Sequence, residues 1–265
     1  MTGRDGGADI GPIGEFSPVV ILVRPQLAEN VGTTARAMAN GGLFHLRLVA
    51  PRDGWPQERA WHASSGAHRI LDAAQVFETV DEAVADLHHV MATCPRPRHI
   101  VKTVMTARGA ASELRAIADR KLKAGLLFGP ERAGLDNEDM ARADVLIRYP
   151  LNPDFMSLNL AQAVLIMAYE WWMACDTTPP RTLMTNETHV ATKGELENFL
   201  GHLTRDLDEC GFLRNEQKRP GMVRNLRHLF QRGEVTEQEL RTLHGVVTEL
   251  SNGRKARQKQ VSDNV

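Results

Sequence analysis

Two short apolar runs, each broken by a glycine or a proline, constrain this chain more than any other feature. Leu126-Leu127-Phe128 reads as a buried strand that stops at Gly129 and gives way to a charged turn, Pro130-Glu131-Arg132-Ala133-Gly134-Leu135. Val145-Leu146-Ile147 is a second such run, stopped by Pro150. Ser157-Leu158-Asn159-Leu160-Ala161-Gln162-Ala163 then opens on a competent helix cap, Ser157, and runs apolar toward Ala168. Strand ends that pass into glycine- or proline-bearing loops are where open α/β sheets place their ligands. A sheet of that kind, with a site in those loops, is the first expectation.

The rest of the chain agrees with it as far as residue 175. Val19-Val20-Ile21-Leu22-Val23 is an uninterrupted apolar run, the pattern of a strand covered on both faces. Asn30 to Asn40 carries the small and apolar residues of a helix packed closely on a sheet, closed by Gly41-Gly42. Strands are expected at His45 to Val49 and His89 to Thr93. Helices are expected at Gln57 to Ser65, Val80 to Leu87, Ala107 to Lys123, Asn137 to Arg142 and Ser157 to Cys175. Such alternation predicts an α/β fold, a mostly parallel sheet with helices on both faces. Beyond Thr177 to Asn186, a linker composition with Pro179-Pro180, only helical patterns remain: Lys193 to Cys210, Gly221 to Gln231 and Thr236 to Leu250. Thr236 with Glu239 fits a capping box. The expected plan is an arm over 1–17, an α/β domain over 18–176, a linker over 177–190 and a small all-α appendage over 191–265.

Composition narrows the classes. At 265 residues, 42% hydrophobic and 25% charged, the chain can bury a substantial core. Cys94, Cys175 and Cys210 are an odd number without close spacing, which disfavours a disulfide framework or zinc ribbon and favours a reducing, cytoplasmic setting. The glycine-rich start from Met1 to Ser17 has no apolar signal region, and Ala161 to Ala174 is too short to span a bilayer. The net charge of −1 hides an asymmetry: Gly211 to Val265 holds eleven Lys/Arg against six Asp/Glu, a local +5, which suits a polyanionic partner. No Gly-x-Gly-x-x-Gly follows Val23, and no Walker A or His-Glu-x-x-His sequence occurs. Ser64-Ser65-Gly66 lacks the glycines of a hydrolase elbow.

Asn30-Val31-Gly32-Thr33-Thr34-Ala35-Arg36, taken with the stretches Leu126 to Leu135 and Ser157 to Ala163, resembles the three motifs of the SPOUT methyltransferases. The likeness is strongest to the TrmH-like branch, which methylates ribose 2′-hydroxyls of RNA, and within it to the tRNA cytidine/uridine enzymes. It covers about Pro18 to Cys175, with the three motifs in the family's order. The resemblance implies a deep trefoil knot in the C-terminal part of the sheet, formed by the segments around Thr93, Gly129 and Ile147 to Asn159. Sequence periodicity would never propose a knot. It also implies S-adenosylmethionine bent into the knot's loops, a homodimer, and no metal and no membrane.

Carried over residue by residue, the resemblance makes Gly129 a point of backbone approach to the adenosine, the alternative being a glycine required by a tight turn. Ile147 and Leu158 become apolar walls whose backbone groups bond the purine. Ser157 and Asn159 combine a cofactor role with those of helix cap and first-turn residue. Thr93 is a cofactor contact in Thr93-Cys94-Pro95-Arg96, where Pro95 has no amide hydrogen to offer; Cys94 reads equally as a small buried residue. Arg36 is the catalytic candidate, the alternative being a surface arginine bonded to a helix end, and Asn30 holds either the loop or the guanidinium. Glu131 and Arg132 pair with each other or with a dimer mate, or else Arg132 binds phosphate; Arg24 is a second RNA contact. Trp171-Trp172-Met173 serves either the dimer or the core.

The implied chemistry is in-line displacement by a ribose 2′-oxygen on a sulfonium methyl. A guanidinium keeps its proton, so Arg36 fits the stabiliser of a developing alkoxide better than a general base. An aromatic content of 5% argues against a stacking platform and for contacts to the RNA backbone. Gly211-Phe212-Leu213 to Phe230 resembles an extension that holds tRNA, which makes the first nucleotide of the anticodon loop the expected acceptor. Ribosomal RNA as substrate, or RNA binding without catalysis, are the alternatives.

Overall fold

The computed structural model describes residues 15–94, 101–185 and 187–262, with side chains as far as 253. The expected arm therefore lies, up to residue 14, outside the described residues, as do Pro95, Arg96 and the side chains of Arg254 to Lys259. The chain divides into two compact units, Met1–Thr178 and Pro179–Val265.

In the first unit the order is β1 (Val19–Val23), α1 (Ala28–Asn40), β2 (Leu46–Val49), α2 (Glu58–Ala63), α3 (His68–Asp72), β3 (Gln75–Phe77), α4 (Val80–Val84) and β4 (His89–Thr93). Then come β5 (Thr103–Thr106), α5 (Ala107–Asp119), β6 (Ala124–Phe128), α6 (Asn137–Ala141), β7 (Val145–Arg148) and α7 (Leu160–Met173). The strands form one seven-stranded sheet in the order β3-β2-β1-β6-β4-β7-β5, and every pairing is parallel.

Why β1 is apolar throughout follows from its alternation. Val20 and Leu22 face a core with Val31 and Met38 of α1, Leu114 and Ile117 of α5, and Val164, Met167 and Trp171 of α7. Val19, Ile21 and Val23 face the opposite core, with Val80 and Ala83 of α4 and Met140 of α6. Each such buried aliphatic side chain contributes about 1.5–3 kcal/mol, so both faces are firmly held. The edge strands β3 and β5 gave no sequence signal because they are short and largely exposed. The helix α3 was likewise unforeseen.

Several helix ends differ from expectation: α4 stops at Val84, not Leu87, and α10 runs on to Ser262, not Leu250. Helix α7 starts at Leu160, not Ser157. Asn159 is its cap: the side chain accepts from Ala161 N–H at 2.9 Å, while Gln162 accepts the Asn159 N–H at 3.1 Å. Ser157 is exposed and outside the helix. Helix α1 starts at Ala28, ahead of Asn30, although Leu27 offers no side-chain cap. Helix α5 stops at Asp119 because Lys121 takes a left-handed φ of 59°, letting Leu122 N–H reach Ile117 O and Lys121 N–H reach Ala118 O.

The second unit contains α8 (Lys193–Glu209), α9 (Arg219–Gln231) and α10 (Glu237–Ser262). Thr192 with Glu195, and Thr236 with Glu239, form the capping interactions that start α8 and α10. Its core is small: Leu196, Phe199, Leu200 and Leu240, with Phe230 edge-on to Phe199. Of the segments expected to form the knot, the one around Thr93 passes at Pro95 outside the described residues.

Candidate active site

The sheet order places β6, β4 and β7 side by side, so their carboxyl ends open on one edge. Ala92 is level with Leu127, and Thr93 with Ile147. Thr93 donates its hydroxyl to Leu127 O at 3.0 Å, and the buried Cys94 donates its N–H to Ile147 O at 2.9 Å. Ile147 is fully buried, so one lone pair of its carbonyl is already committed to the chain. At Gly129 an added Cβ would stand 2.2 Å from Leu135 N and 2.3 Å from the Gly134 carbonyl carbon. The loop after β6 folds back on its own start, with Gly134 N–H bonded to Pro130 O. The need for glycine at 129 is met by that turn alone.

What joins the motifs is a carboxylate. Glu131 accepts the N–H of Gln26 at 2.8 Å, the N–H of Leu27 at 3.2 Å and the side-chain N–H of Asn30 at 2.9 Å. It thereby caps α1 from the loop after the neighbouring strand β6, supplying the anionic acceptor that a helix start favours and that Leu27 lacks. This is why α1 begins earlier than local signals indicate. Asn30 in turn accepts the Asn159 side-chain N–H at 3.1 Å. All three sequence motifs are therefore linked in one chain of hydrogen bonds, Glu131 to Asn30 to Asn159. Of the two roles open to Asn30, the loop-holding one has its bonds in this structure: the carboxamide donates to Glu131 and accepts from Asn159.

The arginines separate. Arg36 is exposed on α1 and donates to the hydroxyl of Ser65 at 3.2 Å. Arg132 is exposed and has no ion pair with another described residue, so it does not pair with Glu131. Arg24, expected as an RNA contact, lies beside two carboxylates. At the end of β1, with φ 48°, it binds Asp136 at 3.0 Å and also Asp139. The hydrogen bond to Asp139 raises the Arg24 pKa, and backbone N–H donation from Asp139 lowers that of Asp136. A guanidinium tied to two carboxylates braces α6. Leu158 is half-buried, and its N–H bonds no other described residue, nor does the exposed hydroxyl of Ser157. Trp171 is core, while Met173 is exposed.

Comparison with known proteins follows the same division. The family described as "SpoU rRNA Methylase family" matches residues 17–169. The chain belongs to the SpoU methylase family. It is an RNA methyltransferase, and residues 194–261 match "tRNA methyltransferase TrmJ, C-terminal domain". Among SpoU relatives, the tRNA (cytidine/uridine/adenosine-2′-O-)-methyltransferase TrmJ of Pseudomonas aeruginosa is 38% identical, over 87% of this chain and 92% of that one. The tRNA (cytidine/uridine-2′-O-)-methyltransferase TrmJ of Citrobacter koseri is 34% identical, over 90% and 98%. The crystal structure of TrmJ from Z. mobilis superposes with a TM-score of 0.77 at 49% identity, covering 88% of this chain and 99% of that one. Sequence reasoning recognised the SpoU motifs but treated Glu131 as an ordinary ion-pairing residue. Its one available signal was its place inside the second motif, directly after Gly129-Pro130.

No helix among the described residues is long and apolar enough to cross a membrane, and they contain no cluster of three or more metal-ligating side chains.

Proposed function

We propose that this chain transfers a methyl group from S-adenosylmethionine to the ribose 2′-hydroxyl of a cytidine or uridine in tRNA, at the first nucleotide of the anticodon loop, acting as a homodimer. The observation that carries the reading is the Glu131–Asn30–Asn159 link, which fixes the helix bearing Arg36 against the loop that enters α7. The helical unit matched to the TrmJ C-terminal domain supports tRNA over ribosomal RNA. The exposed stripe Leu165, Tyr169 and Met173, one helical turn apart on α7, supports a second copy as its cover.

The residues at the sheet edge fit the cofactor. The N–H of half-buried Leu158, which bonds no other described residue, can donate to it, and Ile147 and Leu158 are apolar, as a purine face requires. Thr93, Cys94, Gly129, Ile147, Ser157, Leu158 and Asn159 would hold it. When bound, it supplies a methyl group activated by positive sulfur. The chain's own part is alignment and charge. Arg36 anchors a phosphate of the RNA and stabilises negative charge on the 2′-oxygen as its proton leaves to phosphate or water. Arg132, exposed and without an ion pair among the described residues, is a second phosphate contact.

The test is methyl transfer from labelled S-adenosylmethionine to tRNA and, separately, to ribosomal RNA. Label in a tRNA ribose with wild type, absent with Arg36→Ala, is expected. Label in ribosomal RNA alone would overturn the substrate, and failure to bind the cofactor would overturn the reading.

A further inference from the structure

The loop between β7 and α7, residues 149–159, is pinned at both ends. Tyr149 packs against the core and donates its hydroxyl to Ala163 O of α7 at 2.8 Å, and burial pushes its pKa up. Leu151 N–H bonds Tyr149 O. The side chain of Asn152 accepts Asp154 N–H at 3.1 Å, and its carbonyl accepts Phe155 N–H at 3.0 Å, a tight turn closed by its own residues. Asn159 closes the far end on Asn30. This held loop presents Phe155 at 73% exposure, the most exposed aromatic side chain among the described residues.

We infer that Phe155 is the stacking surface for the base of the acceptor nucleotide. The inference rests on the tRNA reading above. Phe155 lies four residues from Asn159, at most about 14 Å along the chain, on the same loop as the cofactor contacts Ser157 and Leu158. A ribose presented to Arg36 and the methyl donor must leave its base within a nucleotide's width of that loop. Cytosine and uracil share the O2 acceptor but present opposite donor and acceptor groups at N3 and position 4, whereas each has a π-face, and aromatic stacking tolerates both. A sparse aromatic content excludes a platform for several bases; one flipped nucleotide needs one ring. A loop held at Tyr149, at the 152–155 turn and at Asn159 suits this use, because less ordering is left for RNA to impose.

The experiment measures kcat/KM for methyl transfer with wild type, Phe155→Leu and Phe155→Trp, on intact tRNA and on the same tRNA with the acceptor base removed. Light scattering of each variant reports oligomeric state. On intact tRNA, Phe155→Leu is expected to lose about ten-fold and Phe155→Trp to stay at the wild-type level. On the abasic tRNA, wild type falls to the level of Phe155→Leu, and the substitution costs nothing further. An equal loss on both substrates, no loss on either, or a change of oligomeric state would overturn the inference while leaving the tRNA reading intact. Wild type that fails on intact tRNA would overturn both.

Discussion

The two units of this chain are held by different means. In the α/β unit, decisive contacts come from far away in sequence: Glu131 caps a helix that starts about a hundred positions earlier, and Asn159 binds Asn30 across 129 positions. In the helical unit, reciprocal local bonds help start α8 and α10, Thr192 with Glu195 and Thr236 with Glu239, and α9 buries none of its residues. Its core is four buried side chains. A sheet covered on both faces can hold loops in a fixed relation at one edge. A thin three-helix core can present a charged surface but cannot position reacting groups as firmly.

The sharpest way to break that contrast is Arg36→Ala. Losing the stabilising cation is expected to lower kcat for methyl transfer by about 10²- to 10³-fold, with circular dichroism and the melting of both units unchanged. A comparable loss from a substitution in the helical unit that leaves RNA binding intact would show that the chemistry is not confined to the sheet edge.

Phe199→Ala removes the largest side chain from the small core. A cost of about 3–5 kcal/mol is expected, enough to unfold the helical unit. Calorimetry should show that transition lost while the α/β transition persists, since nothing in the sheet's two cores is touched.

Glu131→Gln keeps the shape but replaces an anionic acceptor of three hydrogen bonds with a neutral one. A loss of about 1–3 kcal/mol is expected in chemical denaturation of the α/β unit. Activity should fall with it, because Asn30 and Asn159 lose their common anchor. Full activity with reduced stability would show that the link is only a staple.

The smallest effects separate the units by pH. His244 faces His202 with Nδ1 to Nδ1 at 2.7 Å, a gap that one proton can bridge and two cannot, and Asp206 holds the other side of His202 at 3.2 Å. Burial, then the neighbouring His202, lowers the His244 pKa from 6.5. A group harder to protonate when folded contributes stability above its unfolded pKa and loses it as pH falls. The helical unit should therefore begin to weaken below about pH 6.5, and His244→Gln should flatten that slope. In the α/β unit, hydrogen bonding to Arg47 holds Asp86 at about 2 against an ordinary 3.8. Its contribution is present above pH 3.8 and lost toward pH 2, so that unit should weaken only at much lower pH; Asp86→Asn tests it by urea titration.

Much of the fold was legible because burial on two faces leaves a plain mark: Val19 to Val23, Leu126 to Phe128 and Val145 to Ile147 are apolar without alternation. Strands β3 and β5 were not, since an exposed edge asks little of its side chains. The start of α7 was misplaced because Ser157 and Asn159 are both good caps, and only Asn159 has Gln162 three residues on to complete the reciprocal bond.

The sequence alone determined the strand–helix alternation, the division into a sheet unit and a helical one, and the three motifs that place this chain in its family, since these rest on local pattern and composition. The tertiary structure decided what those motifs do to one another. That Glu131 caps α1, that Asn30 bonds both Glu131 and Asn159, and that Arg24 is held by Asp136 and Asp139 depend on groups about a hundred residues apart meeting within hydrogen-bond range. A hydrogen bond is decided by tenths of an ångström in space, and separation along the chain does not record it.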